Sequence, residues 1–234
     1  MEKIYTYEDF LHEKMLFPLK PTSDTKLESE KEVENFLEEM EIKNYKIDPK
    51  TLKVTVNGNV KIQFKKLEFL PVNFDSVSGN FDVFGNELIS LDGCPETIGG
   101  DFNCSGNNIK SLKNGPKTVK GEYNCSHNEL ISLEGVGTIG KGFNCEYNRL
   151  ATLKEGPIKI EKGDYLCGYN QLINLEGAPF EVNGNFECKG NRINNIEPTS
   201  LKKVTGFFDI SKNQKNFNVD EIKAIIEVKG RIVI

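Results

Sequence analysis

Eight positions, Val60, Phe81, Phe102, Tyr123, Phe143, Tyr165, Phe186 and Phe208, follow one another at steps of 21, 21, 21, 20, 22, 21 and 22 residues. Two residues after each stands Ile62, Val83, Cys104, Cys125, Cys145, Cys167, Cys188 or Ile210. Five residues after all but the first stands asparagine: Asn86, Asn107, Asn128, Asn148, Asn170, Asn191 and Asn213. Two aliphatics then follow, such as Leu88 and Leu91, Ile109 and Leu112, Leu130 and Leu133, or Leu150 and Leu153. A unit this short cannot bury its apolar face alone and must stack on copies of itself, so the period demands a solenoid or array. Alternation along a short strand turns the aromatic and the cysteine inward and the residue between them outward. Stacked turns pair these strands into a parallel sheet. The asparagine amide both donates and accepts, so it can satisfy backbone groups that the bend after the strand would otherwise orphan.

This unit, aromatic-x-Cys-x-x-Asn-x-Leu-x-x-Leu, resembles the leucine-rich repeat, L-x-L-x-x-N-x-L, with aromatic and cysteine in the first two leucine slots. The resemblance covers about residues 58–234. It is most similar to the short repeats of bacterial leucine-rich effectors and of leucine-rich proteins encoded by bacteriophages; the aromatic-N-C-S-x-N-x-L form followed by L-E-G-x-P points to the phage type. What it implies is a mostly β, leucine-rich-repeat solenoid with parallel strands on a concave face and a role in binding other proteins. Some effectors of this kind carry a separate domain with an active cysteine. Here the repeats occupy the C-terminus and that activity is not carried over.

The return segment KNGPKTVKGE, between Leu112 and Tyr123, is too short for a helix, and Pro95, Pro116, Pro157 and Pro179 recur in it. Extended or turn-like segments are expected on the convex side, anchored by Ile98, Val119, Ile139, Val182 and Val204. The glycine two before the aromatic (Gly58, Gly79, Gly100, Gly121, Gly163, Gly184, Gly206) reads as a turn with positive φ. A solenoid also needs capped ends. Ser29 and Glu32 form a capping box for a helix to about Ile42, with Val33, Phe36, Leu37 and Met40 on one face. Asn57-Gly58 fits a hairpin turn, but in phase with the repeats it opens a degenerate first rung at Val60, with Lys65 in the asparagine slot. The expected organisation is an N-terminal segment and flexible connection at 1–28, a helix-plus-strand cap at 29–57, repeats at 58–213, and a cap of helix plus edge strand at 214–234. Within the first segment YEDFLHEKM reads either as a short amphipathic helix or as a recognition element.

Six cysteines invite a disulfide or zinc framework, but none forms a close pair and five recur at the repeat period, so buried thiols in a reducing compartment are expected. The formal charge of −5 and pI near 5.3 argue against nucleic acid or an anionic membrane as the partner. There is no apolar leader and no run of 18 apolar residues, which makes the cytoplasm the expected location, the host's if the chain is phage-encoded. His12 and His127 are far apart, and no phosphate-binding or nucleophile-elbow motif occurs, so no catalytic residue, metal or cofactor is expected.

What remains is a surface. The positions one before, one after, three after and four after the aromatic should face outward, and there Asp82, Asp101, Glu122, Glu146, Asp164 and Glu187 oppose Lys189. His127, Tyr147 and Tyr169 share one column beside Leu166, with Phe84 isolated further up. Exposed tyrosines among acids suit an interface with a basic protein partner. The candidate binding residues are therefore Phe84, Glu122, His127, Glu146, Tyr147, Asp164, Leu166 and Tyr169, on a chain read as a monomer. Aromatic stacking that only stabilises the sheet is the competing reading of the column. A structural component of a virion is the alternative for the whole chain.

Overall fold

The computed structural model describes residues 26–234; the readings of residues 1–16 and 17–25 fall outside it. The repeats form a parallel β-solenoid of about nine turns. Its front sheet has nine two-residue strands, from Val60–Lys61 and Phe81–Asp82 through Phe208–Asp209 to Ile232–Val233, each pairing in parallel with the next. Val60 lies beside Phe81, as the degenerate first rung requires. The hairpin falls earlier, where Tyr45–Ile47 runs antiparallel to Val54–Val56.

Alternation within each strand builds the core. The aromatics from Phe81 to Phe208 are at most 1% exposed and form one column with ring centroids 4.8–6.1 Å apart. Five cysteines, Cys104 to Cys188, fill the adjoining column, and these and Cys94 are all unpaired and buried. Burial pushes the thiols well above their ordinary range, so they stay protonated, packed as small hydrophobes and unsuited to nucleophilic work. The asparagine column bonds as its chemistry requires. The Asn148 amide donates to the carbonyls of Cys125 and Cys145, both at 3.1 Å, and accepts from Leu130 N at 2.9 Å. Lys65, in the first-rung slot, cannot repeat this; its backbone N–H instead donates to Asn86 Oδ1.

The return side is extended, as expected, and its segments also pair with one another from turn to turn. It carries further parallel sheet, in two pieces. Val54–Val56, Phe74–Val77, Thr97–Ile98, Thr118–Val119 and Thr138–Ile139 run on from the hairpin, and Glu181–Val182, Lys203–Val204 and Glu227–Val228 form a separate ladder. Ile98, Val119, Val182 and Val204 are buried as anchors, and Ile139 half-buried. The sheet breaks at the turn between Ile139 and Val182, for which no anchor was assigned. There Ile160 is fully buried and bridges only forward, to Val182. Three residues separate Val119 from Tyr123, whereas four separate Ile160 from Tyr165. The extra residue turns Ile160 toward the following rung, and the ladder to Ile139 is lost.

Core volume is balanced turn by turn. Where the return turn has Gly115 or Gly156, the facing aromatic is Tyr123 or Tyr165, and a Cβ on either glycine would lie 3.3 Å from the phenol oxygen. Both hydroxyls are buried without a hydrogen-bond partner among the described residues. Removing an unsatisfied buried hydroxyl offsets the lost volume, so Tyr123→Phe should leave stability within about 1 kcal/mol of the parent. Gly115→Ala should destabilise alone, because its Cβ also meets Leu91 Cδ1 at 2.7 Å. A denaturation double-mutant cycle should show the pair partly rescuing each other, since the phenol is one of three neighbours the methyl meets, with Leu91 Cδ1 and the Leu112 carbonyl.

At the N-terminal end, α1 (Glu30–Glu39) begins at the capping box: Ser29 Oγ accepts from Glu32 N at 3.3 Å, and Glu32 accepts from Ser29 N at 3.0 Å. Its Val33 and Leu37 lie in the same apolar cluster as the first rungs, with Met40 and Ile42. Ahead of it, Leu27 N donates to Pro71 O and Lys26 Nζ to Leu70 O, which fixes this end of the connection. At the other end, α2 (Val219–Lys223) is shorter than the sequence suggests. Glu227–Val228 leaves the helix to pair with Lys203–Val204, and Ile232–Val233 closes the front sheet.

Candidate binding face on the front sheet

The four outward columns are less free than the sequence suggests. In the column one after the aromatic, Asp82, Asn103, Asn124, Asn144 and Asp209 each accept the backbone N–H two residues on, at 3.0–3.1 Å. These are Asx turns that fold the strand into the bend. Lys61, Leu166 and Glu187 are the departures among the rungs from Val60 to Phe208. In the column one before the aromatic runs a second ladder: Asn59, Asn80 and Asp101, then Asp164 and Asn185, each accept the backbone N–H of the same position one rung on, at 2.7–3.0 Å.

That ladder explains the recurring glycine and corrects the expectation of positive φ. Of the series only Gly58 and Gly163 have it. A Cβ on Gly79, Gly100, Gly121 or Gly206 would instead lie 2.0–2.2 Å from the side-chain oxygen of Asn59, Asn80, Asp101 or Asn185. Glycine is required there by close approach. The repeated dipeptides Gly58-Asn59, Gly79-Asn80, Gly100-Asp101, Gly163-Asp164 and Gly184-Asn185 held this signal, and the sequence reading missed it.

The predicted acids therefore divide. Asp82, Asp101 and Asp164 hold backbone amides, and Asp164 also accepts from Asn185 Nδ2 at 3.2 Å. Glu187 is paired with Lys189. Glu122 and Glu146 carry no such bond among the described residues. They stand on the rungs where the second ladder is interrupted, because Glu122 and Gly142 supply no Asx oxygen there. Partial burial raises the Glu146 carboxyl above the ordinary range, an effect that nearby Lys189 opposes and Glu187 reinforces.

The fourth column is left-handed on every rung from Val60 to Phe208: Phe64, Gly85, Gly106, His127, Tyr147, Tyr169, Gly190 and Lys212 have φ between 51° and 68°. Glycine takes this conformation at least cost, and a bulky side chain there is uncommon. His127 and Tyr147 nevertheless stack at 4.3 Å between ring centroids, and Tyr147 and Tyr169 at 4.4 Å, with planes 10° and 11° apart. The file ends with Tyr169 lying over Gly190. His127 and Tyr147 are exposed, and Tyr169 and Leu166 half-buried beside them.

Phe84 corrects its description as isolated. It meets Phe64 edge-on at 5.0 Å, and its ring covers Gly106, one rung before His127. The structure thus gathers Glu122, His127, Glu146, Tyr147, Leu166 and Tyr169 on three successive rungs, with Asp164 engaged at their edge and Phe84 beyond. Among the described residues no three His, Cys, Asp or Glu side chains could hold a metal ion together, and no helix is long and apolar enough to cross a membrane. The chain matches no family model, no curated protein and no solved structure.

Proposed function

We propose that the chain is a non-enzymatic protein-binding module of the leucine-rich-repeat type, capped at its N-terminus by α1, that grips a partner with a basic surface through the aromatic file and its acids. On the phage-like resemblance the partner is a host or defence protein inhibited by occlusion, an assignment by analogy. The observation that carries the binding role is the left-handed backbone beneath three stacked, solvent-facing rings. Side chains kept where glycine costs least are a mark of selection for something besides the fold. Glu122 and Glu146 supply negative charge that no backbone bond consumes, which favours a cationic partner and a salt-sensitive association rate. Tyrosine anchors in such a setting carry a disproportionate share of binding energy.

Glycine substitution separates this from stacking for stability alone. A left-handed non-glycine residue costs about 1 kcal/mol, and a stacked pair returns a comparable amount. Tyr147→Gly/Tyr169→Gly should therefore move the thermal midpoint by no more than about 5 °C, while specific partners captured from bacterial lysate by the parent are lost. Unchanged capture of every such partner by the folded variant would remove the site assignment.

A further inference from the structure

The break in the return sheet leaves a strand edge unfilled inside the solenoid. In the intact ladder Thr138 N donates to Lys117 O at 2.9 Å and Gly140 N to Val119 O at 2.8 Å. One rung on, the carbonyls of Gly137 and Ile139 accept from no group among the described residues, and the Ile139 N–H has no acceptor there. Ile160 is committed the other way: its N–H donates to Glu181 O at 3.0 Å and its carbonyl accepts from Asn183 N at 2.9 Å. Between Gly135–Ile139 and Gly156–Lys159 opens a cleft of ≈ 550 Å³. Ile158 stands on its wall 83% exposed.

We propose that the Thr138–Ile139 edge is a β-augmentation site that takes an extended, acidic peptide segment of a protein partner. Three backbone groups in strand register, Gly137 C=O, Ile139 N–H and Ile139 C=O, offer an added strand its ladder. An unpaired edge is a template, and proteins normally blunt it with proline or an inward charge. Here the edge residues are Gly-Val-Gly-Thr-Ile, with neither.

Charge selects the occupant. Lys117 and Lys159 line the cleft, and the exposed Lys120, Lys141 and Lys162 follow Val119, Ile139 and Ile160 within two residues. Lys117 is paired with Glu96 and Lys159 lies near Glu161 and Glu181, so the excess positive charge comes from Lys120, Lys141 and Lys162, which pair with no acid among the described residues. A second copy docking edge to edge would bring these lysines together. A segment with an aliphatic residue to meet Ile158, flanked by Asp or Glu, meets both demands. The surface is independent of the aromatic file on the front sheet, and its cationic rim calls for the opposite partner charge.

The probe is a displayed library of random nonapeptides, panned on the full chain with counter-selection on Ile139→Pro, which removes the N–H and blocks the ladder. Enriched sequences should carry Asp or Glu around Val or Ile and slow hydrogen exchange at the Ile139 amide at least tenfold. They should lose tenfold or more in affinity when N-methylated on their ladder-side amides. Lys117→Glu/Lys159→Glu, which leaves the backbone untouched, should weaken them similarly and serves as the comparison if Ile139→Pro fails to fold. Recovery of no peptide that discriminates parent from variant would overturn the proposal, as would peptides that leave Ile139 exchange unchanged or bind equally well when N-methylated.

Discussion

Phe143→Ala should lower stability by about 3–5 kcal/mol, the range for removing a buried phenyl ring. Its ring is 1% exposed and lies between Tyr123 and Tyr165, at 5.7 and 5.5 Å. The position matters as much as the volume. Each turn of a solenoid touches mainly its neighbours, so stability is close to a sum of rung and interface terms. At most interfaces the front and return sheets both continue. Between the Phe143 and Tyr165 rungs the front sheet, the asparagine column, the core and the bonds of the bend continue, among them Gln171 N–H to Leu150 O at 2.9 Å and Leu153 N–H to Glu176 O at 3.0 Å, but the return ladder stops at Ile139. Truncation there should uncouple the halves, and urea unfolding followed by circular dichroism should turn from one transition into two. Phe102→Ala, where the return ladder is intact, should cost a similar energy yet keep a single transition. One sharp transition in both variants would show that the break does not weaken coupling.

Asn148→Ala should be the next most damaging change, at about 3 kcal/mol, since each buried polar group left without its partner costs roughly 1–3 kcal/mol. The amide holds Leu130 N and the carbonyls of Cys125, Cys145 and Glu146, at 2.9–3.2 Å, on two successive rungs. For a chain of this size the thermal midpoint should fall by roughly 6–12 °C, and hydrogen exchange at Leu130 should accelerate. Asn213 supplies the contrast. It makes the same bonds but is only partly buried, so water can replace the lost amide and Asn213→Ala should cost visibly less. Equal losses at the two sites would mean that the ladder's worth does not depend on burial.

The inward columns were legible because they obey the plainest rule in the chain: a side chain that must be buried on every turn recurs at the turn's own period. Phe81 to Phe208, the cysteines and the asparagines could be placed, paired and oriented without coordinates. The Gly-Asx dipeptides were as regular and still went unread. Glycine before a strand suggests a left-handed turn, whereas here its missing Cβ makes room for an oxygen of the preceding rung. Asp101 and Asp164 read as free surface charge because the backbone amide each accepts comes from a neighbouring turn, whereas Asp82 is consumed within its own turn by the Phe84 N–H.

The candidate site divides along the same line. His127, Tyr147 and Tyr169 were recognised as one outward column from their offsets, and the structure added that the column is left-handed and that its rings lie face to face. The step of 20 followed by 22 residues was visible in the sequence, but its consequence was not. One residue displaced relative to Ile160 decides whether two strands several residues away share a ladder, which is a question of register between turns. Local alternation and period determined that this chain stacks and which side chains it buries; hydrogen bonding from one rung to the next, set only once the turns lie against each other, decided which exposed residues are structural and where the sheet is left open.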